Sequence, residues 1–153
     1  MEKTNVMRIL TQQKIDFTPY EYDDTLTDGQ TIAKTLGQDE ERVFKTLVTV
    51  ANTGDHFVFM IPVCCTLDLK KAAAAAGVKS IQMIKQKELL PLTGYIHGGC
   101  SPIGMKKPFP TFIEESASLY EHIFFSAGKL GHFVEMPASP LLRLVNAQYS
   151  DLV

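Results

Sequence analysis

A lysine set in an apolar strand is the first residue with chemical potential. In Val43-Phe44-Lys45-Thr46-Leu47 the two-residue period puts Lys45 on one face with Val43, Leu47 and Thr49. An ammonium there costs free energy unless it reaches water or a partner. Lys45 either snorkels from an edge strand or serves a cleft as a fixed positive charge. The second candidate is the glycine-rich stretch from Thr93 to Gly104, with Gly98-Gly99-Cys100-Ser101-Pro102 at its centre. Glycines there allow positive φ and close approach of the backbone to a ligand. Free N–H groups in such a loop can hold an anion or a developing oxyanion. An ordinary tight turn is the other reading. The spacing is neither that of a nucleotide phosphate loop nor that of a dinucleotide fold. Third, Ser126-Ala127-Gly128-Lys129 makes a corner after a strand, either a plain turn or a place where Ser126 bonds a substrate.

Basic residues near these segments add weaker signals. Lys106 and Lys107 follow the glycine loop and can meet a phosphate backbone, or can simply be solvated. Lys70 and Lys71 open a helix, where positive charge opposes the macrodipole, which hints at a use for it. Tyr20 and Tyr22 flank Glu21 and share a face, as pocket wall or core. His56, His97, His122 and His132 lack zinc-site spacing, so no metal or other cofactor is expected. There is no GxSxG elbow. His97 and Cys100 are poorly placed for a thiol dyad, being three residues apart across a Gly-Gly turn. Cys64, Cys65 and Cys100 are odd in number and include no CxxC, so all three read as reduced thiols.

The bulk properties frame these candidates. The chain has 153 residues, 45% hydrophobic and 21% charged, with a formal net charge of -2. That is the size of one domain, spanning residues 1–153, with a real core. A DNA or long-duplex binder carries a basic excess that this chain lacks. A protein touching only the end of a tRNA needs no more than a local basic patch. The opening residues are polar and no apolar run approaches a membrane span, so a cytoplasmic protein with no membrane partner is expected.

Positioning elements follow from periodicity and punctuation. Helical spacing covers Thr4 to Lys14, and an edge strand around Pro19 covers Ile15 to Tyr22. After a polar loop, Ile32, Ala33 and Leu36 form a short helix stopped at Gly37. Val43 to Ala51 and His56 to Val63 are strands joined by the turn Asn52-Thr53-Gly54-Asp55. Asp68 caps a helix from Leu69 to Ala76 that ends at Gly77. Lys85 to Leu90 predicts another turn or two of helix before Pro91. Later strands are expected at Tyr95 to His97, Thr111 to Glu114, Ile123 to Ser126 and Phe133 to Met136, with a closing helix from Ser139 to Val145. The order suggests a mixed α/β (α+β) domain on one curved sheet, not a doubly wound fold.

Taken in order, these segments resemble a family. They are Tyr20-Glu21-Tyr22-Asp23, Val43 to Leu47, Leu67-Asp68-Leu69-Lys70-Lys71, Thr93-Gly94-Tyr95, Gly98 to Gly104 with Lys106-Lys107, and Ser126 to Lys129. The chain is similar, over essentially its whole length, to the bacterial Cys-tRNA(Pro) deacylases of the YbaK/EbsC group. That group is related to the editing domain inserted in some prolyl-tRNA synthetases. The resemblance implies a curved, barrel-like mixed sheet flanked by helices, and a catalytic lysine at Lys45. It implies an aminoacyl pocket lined by Gly98, Gly99, Cys100, Ser101 and Pro102, with Ser126 at its wall and Tyr20 near the substrate end. Three positions depart from the family pattern: Asp28 where an aromatic is usual, Cys100 where isoleucine is frequent, and Ala127 in place of a glycine.

The implied reaction is cleavage of the ester between an amino acid and the terminal ribose of tRNA. That ester is already activated, so positioning and oxyanion stabilisation can suffice without triad or metal. On this reading Lys45 anchors the terminal phosphate or the ester carbonyl, and the N–H groups of Gly99 and Cys100 hold the oxyanion. Water or the substrate's own thiol is the nucleophile. The expected partners are the aminoacyl-tRNA acceptor end and prolyl-tRNA synthetase. The competing readings are an Ala-tRNA(Pro) deacylase and a non-catalytic tRNA- or synthetase-binding regulatory module.

Overall fold

Local signals set most of the elements in the computed structural model, which describes residues 2–153. Thr4 caps α1 (Asn5–Gln12) by accepting the Met7 N–H at 3.3 Å, and Val6, Met7 and Leu10 form its buried stripe. β1 (Thr18–Glu21) tolerates Pro19 because it pairs on one side only. α2 (Gly29–Thr35) is capped by Asp28. β2 (Phe44–Ala51) and β3 (His56–Pro62) form the expected hairpin, with φ of 89° at Gly54. Asp68 Oδ1 accepts the N–H groups of Lys70 and Lys71 at 2.9 and 3.1 Å to start α3 (Leu69–Ala76), and Gly77 ends it at φ 71°.

The lysine charge at the start of α3 does have a use. Lys71 Nζ donates to Asp151 Oδ1 at 3.0 Å and to the Val153 carbonyl at 2.6 Å, pinning the C-terminal residues to the helix. The remaining elements are β4 (Ile81–Met83), α4 (Gln86–Thr93), β5 (Thr111–Glu114), a 3-10 helix (Glu115–Leu119), β6 (Ile123–Lys129), β7 (His132–Met136), α5 (Ala138–Leu144) and β8 (Ala147–Ser150). α4 runs through Pro91 and stops at Gly94, where φ reaches 84°.

The strands form two sheets, not one barrel-like sheet. One has the order β1-β7-β6, the other β4-β2-β3-β5-β8. The second is mixed, since β5 runs parallel to both β3 and β8. Among the described residues a single parallel bridge, between Val43 and Phe124, links the sheets, with the Phe124 N–H donating to the Arg42 carbonyl at 2.9 Å. Beyond that bridge the sheets part, so they do not close into a barrel. Tyr95 to His97 is a loop and not a strand. Positive φ at Gly94 and at Gly98 turns the chain at both ends and leaves no room for a ladder.

Two of the buried apolar clusters lie on the two faces of the larger sheet. Phe44, Met60, Ile113, Phe125 and Val134 meet between the sheets, together with the buried stripe of α1. Phe59, Ile61 and Phe112 pack the opposite face of the larger sheet against Ala72 and Ala73 of α3. Glu114, only 4% exposed, closes this layer. Its carboxylate accepts the Ser116 N–H at 2.8 Å and the Leu152 N–H at 3.0 Å. Glu114→Ala orphans both donors and is expected to lower stability by about 2–3 kcal/mol. Denaturant unfolding measures this, and a loss near zero would show that water replaces the carboxylate at no cost.

Candidate active site

A cleft of about 390 Å³ opens where the two sheets part. Strand pairing explains its position. Val63 N–H donates to the Val43 carbonyl at 2.8 Å, and Ala51 N–H to the Asp55 carbonyl at 2.8 Å. Antiparallel alternation then aims the main-chain groups of residues 43, 45, 47, 49 and 51 at β3, and those of Thr46 the other way. On that outer edge β4 pairs only with Thr49 to Ala51. β6 covers that edge as far as Phe44 through the Val43–Phe124 bridge, so it is left open from Lys45 to Leu47, and four consecutive residues, Phe44, Lys45, Thr46 and Leu47, line the cleft. α2 with Val63 and Phe133 forms one wall; the loop carrying His97, Gly98 and Cys100 forms another. Among the described residues, Lys45 makes no ion pair and no side-chain hydrogen bond.

Of the residues expected at the site, the structure brings together Lys45, Gly98, Cys100 and Ser126. Ser126 Oγ accepts the Gly128 N–H at 3.1 Å, which leaves its proton available. Burial pushes the Cys100 thiol up to about 12, so it stays neutral at physiological pH and is no nucleophile. Cys100→Ala is accordingly expected to keep turnover of the wild-type order, read by steady-state deacylation; an inactive but folded variant would give the thiol a chemical role.

Gly99 does not hold the place given to it. Its N–H donates to the Ile96 carbonyl at 2.9 Å, so it is not free for an oxyanion. The positive φ of 87° belongs to Gly98. A Cβ on Gly99 would lie 3.2 Å from the Leu130 main-chain nitrogen, so Gly99 is needed for close packing and does not line the cleft. The Cys100 N–H takes no partner among the described residues and remains available. Ser101 and Pro102 are buried behind the cleft, with Ser101 Oγ accepting the Ile103 N–H at 3.3 Å. They shape the loop without facing the cavity.

Tyr20 also stands one layer back. Its hydroxyl donates to Glu135 Oε1 at 2.6 Å and its ring lies 5.6 Å from that of Phe124. The Glu135 carboxylate, followed by burial, raises the Tyr20 phenol above its ordinary range. Lys106 and Lys107 are exposed and outside the cleft.

Two cleft residues had no strong signal in the sequence. Thr46 lines the cleft with a buried Oγ1 that has no hydrogen-bond partner among the described residues. Asp28 stands at the N-terminus of α2 and also lines the cleft. The departure from the family aromatic at Asp28 was the one available hint.

The sequence pattern of the aminoacyl-tRNA editing domain matches residues 24–144, which include every residue that lines the cleft. The chain belongs to that family. It is 45% identical, over 99% of its length and 93% of the relative's, to the Enterococcus faecalis protein named "Putative Cys-tRNA(Pro)/Cys-tRNA(Cys) deacylase EbsC". Two solved structures share the editing-domain fold. The hypothetical protein APE2540 superposes with a TM-score of 0.88 at 20% identity, covering 99% of both chains. The structure of "a putative trans-editing enzyme for prolyl tRNA synthetase" gives 0.81 at 24% identity, covering 96% of this chain and 95% of its own. No helix among the described residues is long and apolar enough to cross a membrane.

Proposed function

We propose that the whole chain, residues 1–153, acts as a trans-editing aminoacyl-tRNA deacylase, with Cys-tRNA(Pro) as its substrate. One observation carries this reading: an uncommitted lysine, Lys45, and Cys100, whose main-chain N–H takes no partner among the described residues, line one cleft on an open strand edge of an editing-family fold. The name of the Enterococcus relative supports the choice of amino acid and tRNA. The ester enters with its carbonyl near Cys100 N–H, where negative charge develops as the carbonyl carbon becomes tetrahedral. Lys45 holds the terminal phosphate or that carbonyl as a point charge. Ser126 Oγ and Thr46 Oγ1 supply further hydrogen bonds, and Tyr20 supports the wall from behind. Lys106 and Lys107 meet the incoming tRNA backbone, and a formal charge of -2 leaves selection among tRNAs to a partner such as prolyl-tRNA synthetase. Such an enzyme works in the cytoplasm.

Two nucleophiles suit a site without a triad. Water gives free cysteine. The substrate thiol gives a cyclic thiolactone: the S–C bond forms, the ester C–O bond breaks, and the proton passes to the ribose oxygen. One methylene or hydroxyl discriminates small amino acids by only about 1–3 kcal/mol in binding, so selection of cysteine favours the thiol route. Cysteinyl- and alanyl-tRNA(Pro), incubated side by side with the enzyme, test the assignment. Cysteine is expected to be lost with alanine spared; the reverse would move the chain to the alanine-specific branch, and loss of neither would leave a binding module.

A further inference from the structure

We infer that Asp28 is the residue that binds the α-ammonium of the aminoacyl group. The inference rests on the deacylase reading and goes beyond it by giving the cleft's carboxylate a partner on the substrate. Among the residues that line the cleft, Asp28 is the one carboxylate and Lys45 the one amine. An aminoacylated tRNA end carries a matching pair of charges. Its α-ammonium is positive, its ester is neutral, and the terminal phosphodiester is negative. Placing the phosphate at Lys45 leaves Asp28 as the complement to the ammonium.

The geometry suits that task. Asp28 caps α2, and both capping bonds fall on Oδ2: the Thr31 N–H donates at 3.1 Å and the Thr31 hydroxyl at 2.8 Å. Oδ1 therefore keeps lone pairs for a ligand. The two Thr31 bonds, with smaller contributions from the Gln30 N–H and then the Lys45 charge, hold the carboxyl below its ordinary range, so it is ionised at neutral pH. The carboxylate is also fixed in place. A Cβ on the next residue, Gly29, would lie 2.4 Å from Val63 Cγ1, so the start of α2 presses directly on the cleft wall. Ile32 and Ala33 anchor the same helix in the core beside Phe124 and Phe133. A rigid, ionised carboxylate at a cleft mouth can make a charge-assisted hydrogen bond to an ammonium. An aromatic at this position would offer only its ring face.

The test separates substrate recognition from capping. Asp28→Asn keeps the N-cap, since asparagine caps as well as aspartate, and removes the charge. Wild type and Asp28→Asn are each assayed on cysteinyl-tRNA(Pro) and on 3-mercaptopropionyl-tRNA(Pro), which has the thiol and the ester but no amine. The variant is expected to melt with the wild type and to lose about tenfold in kcat/KM on cysteinyl-tRNA, as removal of a charge-assisted bond predicts. On the amine-free substrate the two enzymes are expected to be equal. An equal loss on both substrates, or no loss on either, overturns the inference while leaving the deacylase reading intact. A wild type unable to cleave cysteinyl-tRNA removes that reading and the inference together.

Discussion

Lys45→Ala is expected to fold as the wild type does and to lose about a hundredfold to a thousandfold in deacylation rate, the range seen when one pre-positioned electrostatic contact is deleted. Folding is spared because the ammonium makes no ion pair and no hydrogen bond among the described residues, so truncation orphans nothing. Activity is expected to fall because, on the proposed reading, Lys45, the sole amine in the cleft, holds the phosphate or the ester carbonyl. With that charge gone, the cleft loses the ammonium proposed to balance the phosphate or the polarised carbonyl. Single-turnover deacylation with a parallel thermal melt reads both halves. Unchanged turnover would take Lys45 out of the mechanism, and a collapsed melt would make it structural.

Gly98→Val is the second large effect. Gly98 holds φ at 87°, a conformation that a β-branched residue adopts only at a cost of about 1–3 kcal/mol. The new Cβ would also stand 2.9 Å from Leu130 Cδ2 and 3.0 Å from Thr27 Cγ2. The loop must shift to relieve both, and Cys100 N–H, two residues on, shifts with it. Misplacement of a reacting group by about 1 Å can cost roughly a hundredfold in rate, and a loss of that size is expected here. A folded Gly98→Val enzyme with wild-type kcat/KM would show that the loop is only a turn.

Local features were legible in the sequence. The hairpin around Gly54 and the Asp68 cap with its Gly77 stop each depend on a few neighbouring residues, and each forms where its residue types place it. Lys45 stood out because an ammonium conflicts with its strand. The hidden features depend on pairings distant in sequence. That β4 covers β2 only from Thr49 onward cannot be read from either strand, yet it is what opens the edge at Thr46 and admits both neighbours of Lys45 to the cleft. The parting of the sheets after Val43 and Phe124 is a contact between residues 81 apart, and a one-sheet expectation could not contain it. Gly99 was misjudged for a smaller reason. Of two adjacent glycines, one takes the positive φ and the other surrenders its N–H to Ile96, and composition does not say which. β4 and β8, at three and four residues, are too short to carry a period.

On the proposed reading, this cleft cleaves the ester of a mischarged tRNA. Purified wild-type protein mixed with cysteinyl-tRNA(Pro), with prolyl-tRNA(Pro) as bystander, tests it most directly. Rapid, enzyme-dependent loss of cysteine with proline retained is the predicted result. A cysteinyl ester that survives as long with the enzyme as without it would show that the cleft is not a deacylase site.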